Sequence, residues 1–185
     1  MMTSTTLPAL LLRPATEADI PAIAGIYAHH VAQGRASFET APPDAEEMRR
    51  RHAAIVAAGM PYLVAETAGE VLGYAYAGAY RPRAAYGNTV ENSIYVRADA
   101  AGRGIGRQLL AALISACEAL GFRQMIAVIG DSNNMASIRL HEAAGFTPVG
   151  TLRSVGRKHG EWLDVVLMQR ALGAGDTTPP DQEPA

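Results

Sequence analysis

Lysine is almost absent from this chain. Lys158 is the only one among 16 basic residues, and cysteine and tryptophan also occur once each, as Cys117 and Trp162. A single cysteine excludes an intramolecular disulfide, and no Cys/His cluster has metal-ligand spacing, so no metal is expected. An excess of one charge is missing too. The 16 bases face 18 acids for a net charge of −2, with Asp176, Asp181 and Glu183 in the tail. A body so near neutrality argues against nucleic-acid binding by bulk electrostatics, though it leaves room for a small local anion site. No apolar run reaches membrane-spanning length, and the start MMTSTTLPALLLRP lacks a basic n-region and a long apolar stretch. Neither a membrane partner nor a signal peptide is therefore expected. What is present is 185 residues, 49% of them hydrophobic, enough for one domain with a sizeable core. The expectation is a globular, cytoplasmic, metal-free protein.

Residues 1–8 are small and polar, and the stretch from Gly173 to Ala185 is rich in Gly, Pro and acid. Such segments bury too little apolar surface to offset their ordering entropy, which predicts a loose N-terminus, one domain over 9–172 and a disordered tail over 173–185. Within the domain, Leu10–Arg13 reads as a strand. Thr16 opens a helix, with Asp19 as its capping-box partner and Ile20, Ile23, Ala24 and Tyr27 as its apolar stripe. After a loop over Gly34–Pro43, Asp44, Glu46 and Glu47 begin a second helix whose charge order suits the dipole. Tyr62–Glu66 and Val71–Tyr80 form a hairpin, Thr89–Val96 a strand, and Gly104–Leu120 a strongly periodic helix ended by Gly121. Gln124–Ile129 reads as a strand buried on both faces. Ser132 or Asn133 caps a helix to Ala144, and Phe146–Val155 pairs with Trp162–Arg170. The order β-α-α-β-β-β-α-β-α-β-β predicts an α/β sheet covered by helices.

The chemistry concentrates in Asn92-Ser-Ile-Tyr-Val-Arg-Ala-Asp-Ala-Ala-Gly-Arg-Gly-Ile-Gly-Arg107. A strand ends near Val96, and Gly102, Gly104 and Gly106 lead straight into a helix. Glycines let the backbone approach a ligand, and the unpaired N–H groups of a first helical turn form an anion site suited to a pyrophosphate. Arg103 and Arg107 add charge-assisted bonds to phosphate oxygens. A Walker loop is excluded because it needs Gly-Lys-Ser/Thr and the only lysine is Lys158. A dinucleotide fingerprint fails because the sixth position from Gly102 is Arg107.

Arg103-Gly104-Ile105-Gly106 after a strand resembles the acyl-CoA-binding loop of the GCN5-related N-acetyltransferase (GNAT) family. Further stretches resemble its phosphinothricin and methionine sulfoximine acetyltransferase subfamily: Ala36-Ser-Phe-Glu-Thr40, Val90-Glu-Asn-Ser-Ile-Tyr-Val96, Asn134 to Phe146, and Val155 to Asp164. The similarity spans Leu10 to Leu172. It implies a mixed central sheet with a β-splay, helices on both faces, acetyl-CoA as co-substrate and a homodimer. It also implies that the backbone of Ile94, Tyr95 and Val96 binds pantetheine and polarises the thioester. Gly102, Arg103, Gly104, Ile105, Gly106 and Arg107 would hold the pyrophosphate, and Asn134 and Ser137 would meet the pantetheine arm. Two positions depart from the wider family. Ala101 stands where the loop usually begins with Gln or Arg, and His141 replaces a common Tyr, a replacement the phosphinothricin subfamily shares.

The implied reaction is attack of a neutral amine on the thioester carbonyl, which requires a proton acceptor, an oxyanion donor and a positioned nucleophile. Glu91, on the strand that reaches the thioester, is the chosen general base, against the plainer reading of an exposed strand carboxylate. His141 either protonates the leaving sulfur or packs as a structural histidine. Arg81, Arg83 and Tyr86 lie on the expected acceptor side, where a guanidinium suits an α-carboxylate. Phe38 and Glu39 either line the acceptor pocket or, for Phe38, anchor a loop. Lys158 and Trp162 flank a turn that in relatives approaches the acceptor, with core packing the favoured role for Trp162. His29, His30 and His52 read as solvated or structural, His159 as a turn residue and Cys117 as inert core. The resemblance thus implies an N-acetyltransferase acting on the α-amino group of a small amino-acid-like acceptor. Acetylation of a protein N-terminus or another amine, and a non-catalytic CoA sensor, are the alternatives.

Overall fold

A computed structural model describes residues 9–180. The expected loose segment 1–8 and the end of the tail, 181–185, lie outside the described residues. The elements follow in the expected order: β1 (Leu11–Pro14), α1 (Ile20–Gln33), α2 (Ala45–Ala57), β2 (Tyr62–Thr67), β3 (Glu70–Ala79) and β4 (Thr89–Val96). Then come α3 (Ile105–Ala119), β5 (Gln124–Gly130), α4 (Met135–Ala143), β6 (Thr147–Lys158) and β7 (Glu161–Ala171). The start of α1 shows why these boundaries fall where they do. Asp19 accepts from the Thr16 backbone N–H at 2.8 Å and pairs with Arg13 on β1, so a short 3₁₀ turn over Glu17–Asp19 precedes the helix proper. Ile20, Ile23, Tyr27 and Val31 then recur at helical spacing and are buried.

The strands form one sheet in the order β1-β2-β3-β4-β5-β7-β6. Every neighbouring pair is antiparallel except β4–β5, which runs parallel. Tyr62, Val64 and Tyr74 pack beneath α1 and α2 on one face, while α3 buries Leu109, Leu110 and Leu113 against the other. The β4–β5 ladder stops at Asn92↔Ala127, and Ser93–Val96 have no partner on β5. That divergence is a β-splay in the middle of the sheet.

Three expectations need correction. β5 is not buried on both faces: Val128 is 40% exposed, because the side it presents looks into the splay. The cap of α4 is Asn134, whose Oδ1 accepts from the Ser137 N–H at 3.2 Å, rather than the expected Ser132 or Asn133. Trp162 is 66% exposed and so is no core residue of this chain. The tail, expected to be disordered from Gly173, is described as far as 180. There Arg123 donates to the carbonyls of Gly175 and Pro179 at 3.3 and 2.7 Å.

Candidate active site

The glycine-bearing loop ends at Gly104, which caps α3 in the left-handed conformation (φ 77°), and Gly102 shares that conformation (φ 75°). Glycine adopts it without the clash a Cβ brings, so the chain turns sharply and presents the helix mouth. The first N–H returning to the helix ladder here is that of Gln108, which donates to the Gly104 carbonyl at 3.2 Å. The N–H groups of Ile105, Gly106 and Arg107 precede it and point out of the helix end. A cleft of about 760 Å³ starts at this mouth and runs through the splay. Its walls include Gly102, Gly104, Ile105, Gly106 and Arg107 from the loop, Ile94, Tyr95 and Val96 from β4, and Asn134, Ser137 and His141 from α4. Of the residues expected at the coenzyme site, Arg103 alone is outside this wall. A donor-rich helix end joined to a long, mostly apolar slot fits a diphosphate carrying a thin, amide-bearing arm.

At the splay the β4 backbone supplies the polar groups. Arg97 N–H donates to the Leu72 carbonyl on β3 at 2.8 Å. Main-chain direction alternates along an antiparallel ladder, so the N–H and C=O of Ile94 and Val96 face away from β3, into the opening. The same alternation puts neighbouring side chains on opposite faces. Glu91 lies on the α1/α2 side near Tyr76 and Arg81, where burial pushes its carboxyl above the ordinary range and the Arg81 charge opposes part of that rise. Asn92 lies on the α4 side, where its Oδ1 is 3.0 Å from His141 Nε2 and its Nδ2 donates to the Ile126 carbonyl at 3.1 Å. His141 Nδ1 donates to the Ser137 carbonyl at 2.8 Å, and burial lowers the pKa of the ring. Glu91 and His141 thus lie towards opposite faces of β4 where the splay begins, and of the two only His141 is in the cleft wall.

The acceptor-side expectations divide. Arg81 lies over the Tyr80 ring at 4.7 Å and acts electrostatically on Glu91. Tyr86 packs edge-on against Tyr80 and lines a separate cavity of about 240 Å³ with Thr89, Ile126 and Leu167. Arg83 is exposed ahead of a 3₁₀ turn and lines neither cavity. Phe38 sits against Gly130 and Gly156, where a Cβ would collide with its ring, so the loop-anchor role is the one its contacts support. Glu39 accepts from Tyr27 Oη at 2.9 Å and from Arg51 at 2.6 Å, which ties it into a structural network. Lys158 is buried and donates to the Ser37 carbonyl at 2.7 Å, pinning the same loop. Cys117 is buried and its thiol is pushed up to about 12, which leaves it unreactive.

Sequence reasoning missed three contributors. Asn92 stands in the family-like segment Val90–Val96 with no role expected for it. Arg35 lines the cleft and pairs with Glu161 at 2.7 Å. His30, read as solvated or structural, also lines the cleft, with Nε2 2.8 Å from the Val96 carbonyl oxygen. Only helical periodicity hinted at it: His30 lies three residues after Tyr27 on the buried stripe.

The comparisons with known proteins agree with this geometry. A phosphinothricin N-acetyltransferase of Alcaligenes faecalis is 57% identical over 94% of this chain and 88% of its own length. An L-methionine sulfoximine/L-methionine sulfone acetyltransferase of Pseudomonas aeruginosa is 42% identical over 91% of this chain and 98% of its own. The crystal structure of a GNAT superfamily phosphinothricin acetyltransferase from Sinorhizobium meliloti in complex with AcCoA superposes with a TM-score of 0.91. It is 48% identical, and the match covers 94% of each chain. Residues 12–167 match the model of the acetyltransferase (GNAT) domain. With its splayed sheet and glycine-lipped helix mouth, the chain belongs to the GNAT acetyltransferase family.

Proposed function

We propose that this chain is an acetyl-CoA-dependent N-acetyltransferase. Its acceptor is the α-amino group of a small amino-acid-like molecule of the phosphinothricin, methionine sulfoximine or methionine sulfone type. The observation that carries the reading is the cleft itself: it joins the α3 mouth to the splay and is walled there by His141 and by Asn92 and Ser93, which follow Glu91 on β4. Acetyl-CoA, when bound, supplies the activated acetyl group. The N–H groups of Ile105, Gly106 and Arg107 hold its diphosphate, and the β4 edge from Ile94 to Val96 aligns its arm.

Glu91 takes a proton from the acceptor ammonium, a task its burial-raised pKa suits. The Val96 N–H donates to the carbonyl oxygen as negative charge grows there, a role typically worth ~3–4 kcal/mol. His141 returns a proton to the departing sulfur. Both of its nitrogens face oxygens that accept, Ser137 O and Asn92 Oδ1, so the ring is fully bonded only when doubly protonated. Burial opposes that form. A ring balanced in this way gives up a proton readily. No thiol is placed to carry the acetyl group, which favours direct transfer in a ternary complex. Arg81 supplies the cation nearest Glu91 for an acceptor carboxylate. We assign the protein to the cytoplasm, where acetyl-CoA is available, and to a homodimer through the apolar β6–β7 hairpin.

The deciding experiment follows CoA thiol release from acetyl-CoA with a panel of amines. Turnover with methionine sulfoximine or phosphinothricin, and none with peptides, is expected. Turnover with peptides alone would transfer the assignment to N-terminal acetylation. CoA binding without turnover on any amine would make the protein a sensor.

A further inference from the structure

We infer that His30 is a positioning residue for this reaction: its ring N–H neutralises the Val96 carbonyl beside the oxyanion site and locks the Val96–Arg97 peptide, the unit that directly follows the one carrying the Val96 N–H. The inference rests on the function proposed above. Val96 is the last residue of β4, and its N–H and C=O both face the splay. An oxyanion site needs donors aimed at the growing charge and no exposed acceptor close by. An unmatched Val96 carbonyl would set its negative end on the same open edge as the N–H that is to bind the anion.

His30 removes that conflict. Its Nε2 lies 2.8 Å from Val96 O, and since a carbonyl only accepts, the proton sits on Nε2. The Val96–Arg97 peptide is then held from both sides, by His30 on the cleft side and by Leu72 O, which accepts from the Arg97 N–H, on the β3 side. Two opposed bonds fix the rotation of that peptide and leave Val96 able to act only as a donor towards a ligand. The ring itself is held on α1 with its centroid 5.5 Å from that of Tyr95, which in turn meets Tyr27 edge-on at 4.9 Å. Burial lowers the pKa of His30, favouring the neutral ring with one committed tautomer.

The test uses the full chain with the best acceptor from the amine panel. His30→Phe keeps a ring against Tyr95 but removes the donor. It should lower kcat by about tenfold or more while changing the Kd for CoA by less than about threefold and leaving Tm near wild type. His30→Gln, whose side-chain amide donates at similar reach, should recover kcat to within about threefold of wild type. In the wild-type protein, ¹⁵N shifts of His30 should report the Nε2-protonated tautomer. The inference is overturned if His30→Phe retains kcat within about twofold, if Phe and Gln variants are equally impaired, or if the Nδ1-protonated tautomer is found. A kcat loss that merely follows a fall in Tm would also overturn it, as a structural effect. Should the wild-type protein acetylate no amine, the proposed function itself fails, a result separable from all of these because they compare variants of an active enzyme.

Discussion

As the proposed general base, Glu91 would work against the fold for the sake of the reaction. Half-buried near Tyr76, its carboxylate is penalised, and the Arg81 charge returns only part of that loss. Its folded pKa lies above the unfolded value, so its contribution to stability is full at pH below the unfolded value and is lost as pH rises through the folded one. Its contribution to activity has the opposite sign, because only the ionised form accepts a proton. Glu91→Gln should therefore cut kcat by at least about tenfold while Tm at neutral pH stays equal to or above wild type. In the wild-type enzyme, the acid limb of the kcat/KM profile should lie above the ordinary carboxylate range and vanish in the variant. A near-normal rate for Glu91→Gln would remove the general-base assignment. Legibility differed residue by residue. Glu91 and His141 could be named because they stand in motifs that resemble a family. His30 could not, since its partner is a carbonyl 66 positions away and a backbone acceptor leaves no mark in the sequence.

Among the elements, α3 was the most legible, with its apolar stripe and its glycines specifying both ends to within a residue. The reason is local: each signal acts over one helical turn. The splay was legible only through resemblance. It depends on β4 and β5 pairing in parallel and then parting, and strand partnership is decided by packing across the whole sheet rather than by neighbours in sequence. The exposure of Val128 followed from that parting. The shape of the α3 mouth turns on Gly104, where a side chain would meet no atom within 4 Å but would be held at φ 77°. An L-residue there costs about 1–2 kcal/mol whenever the loop takes its binding shape. Gly104→Ala should therefore raise the KM for acetyl-CoA about five- to thirtyfold and leave kcat at saturation within about threefold. Initial-rate kinetics over a range of acetyl-CoA concentrations separate the two constants. An unchanged KM would show that the loop does not need its left-handed form to hold the diphosphate.

For the molecule as a whole, the outermost hairpin is the feature that a single chain leaves unexplained. Val149, Leu152 and Val155 on β6 and Trp162 on β7 are 59%, 49%, 54% and 66% exposed. A cluster of large apolar side chains on one exposed hairpin is characteristic of a surface that another protein covers. The core role expected for Trp162 is not met within one chain, where the residue is 66% exposed. The turn end of this hairpin, next to Trp162, is fastened to the loop before α2, through Lys158 to Ser37 and through Glu161 to Arg35 on the cleft wall. A partner pressing on the hairpin would therefore bear on the loop that holds Arg35 and Ser37. If a second copy covers it, Leu152→Glu combined with Trp162→Glu should halve the mass measured by light scattering. The same variant should retain CoA binding, since the α3 mouth lies elsewhere, and should lose acceptor affinity before kcat. A wild-type chain that runs as a monomer at assay concentration, with full turnover, would show that the catalytic site is complete in one copy and that the apolar hairpin serves some other contact.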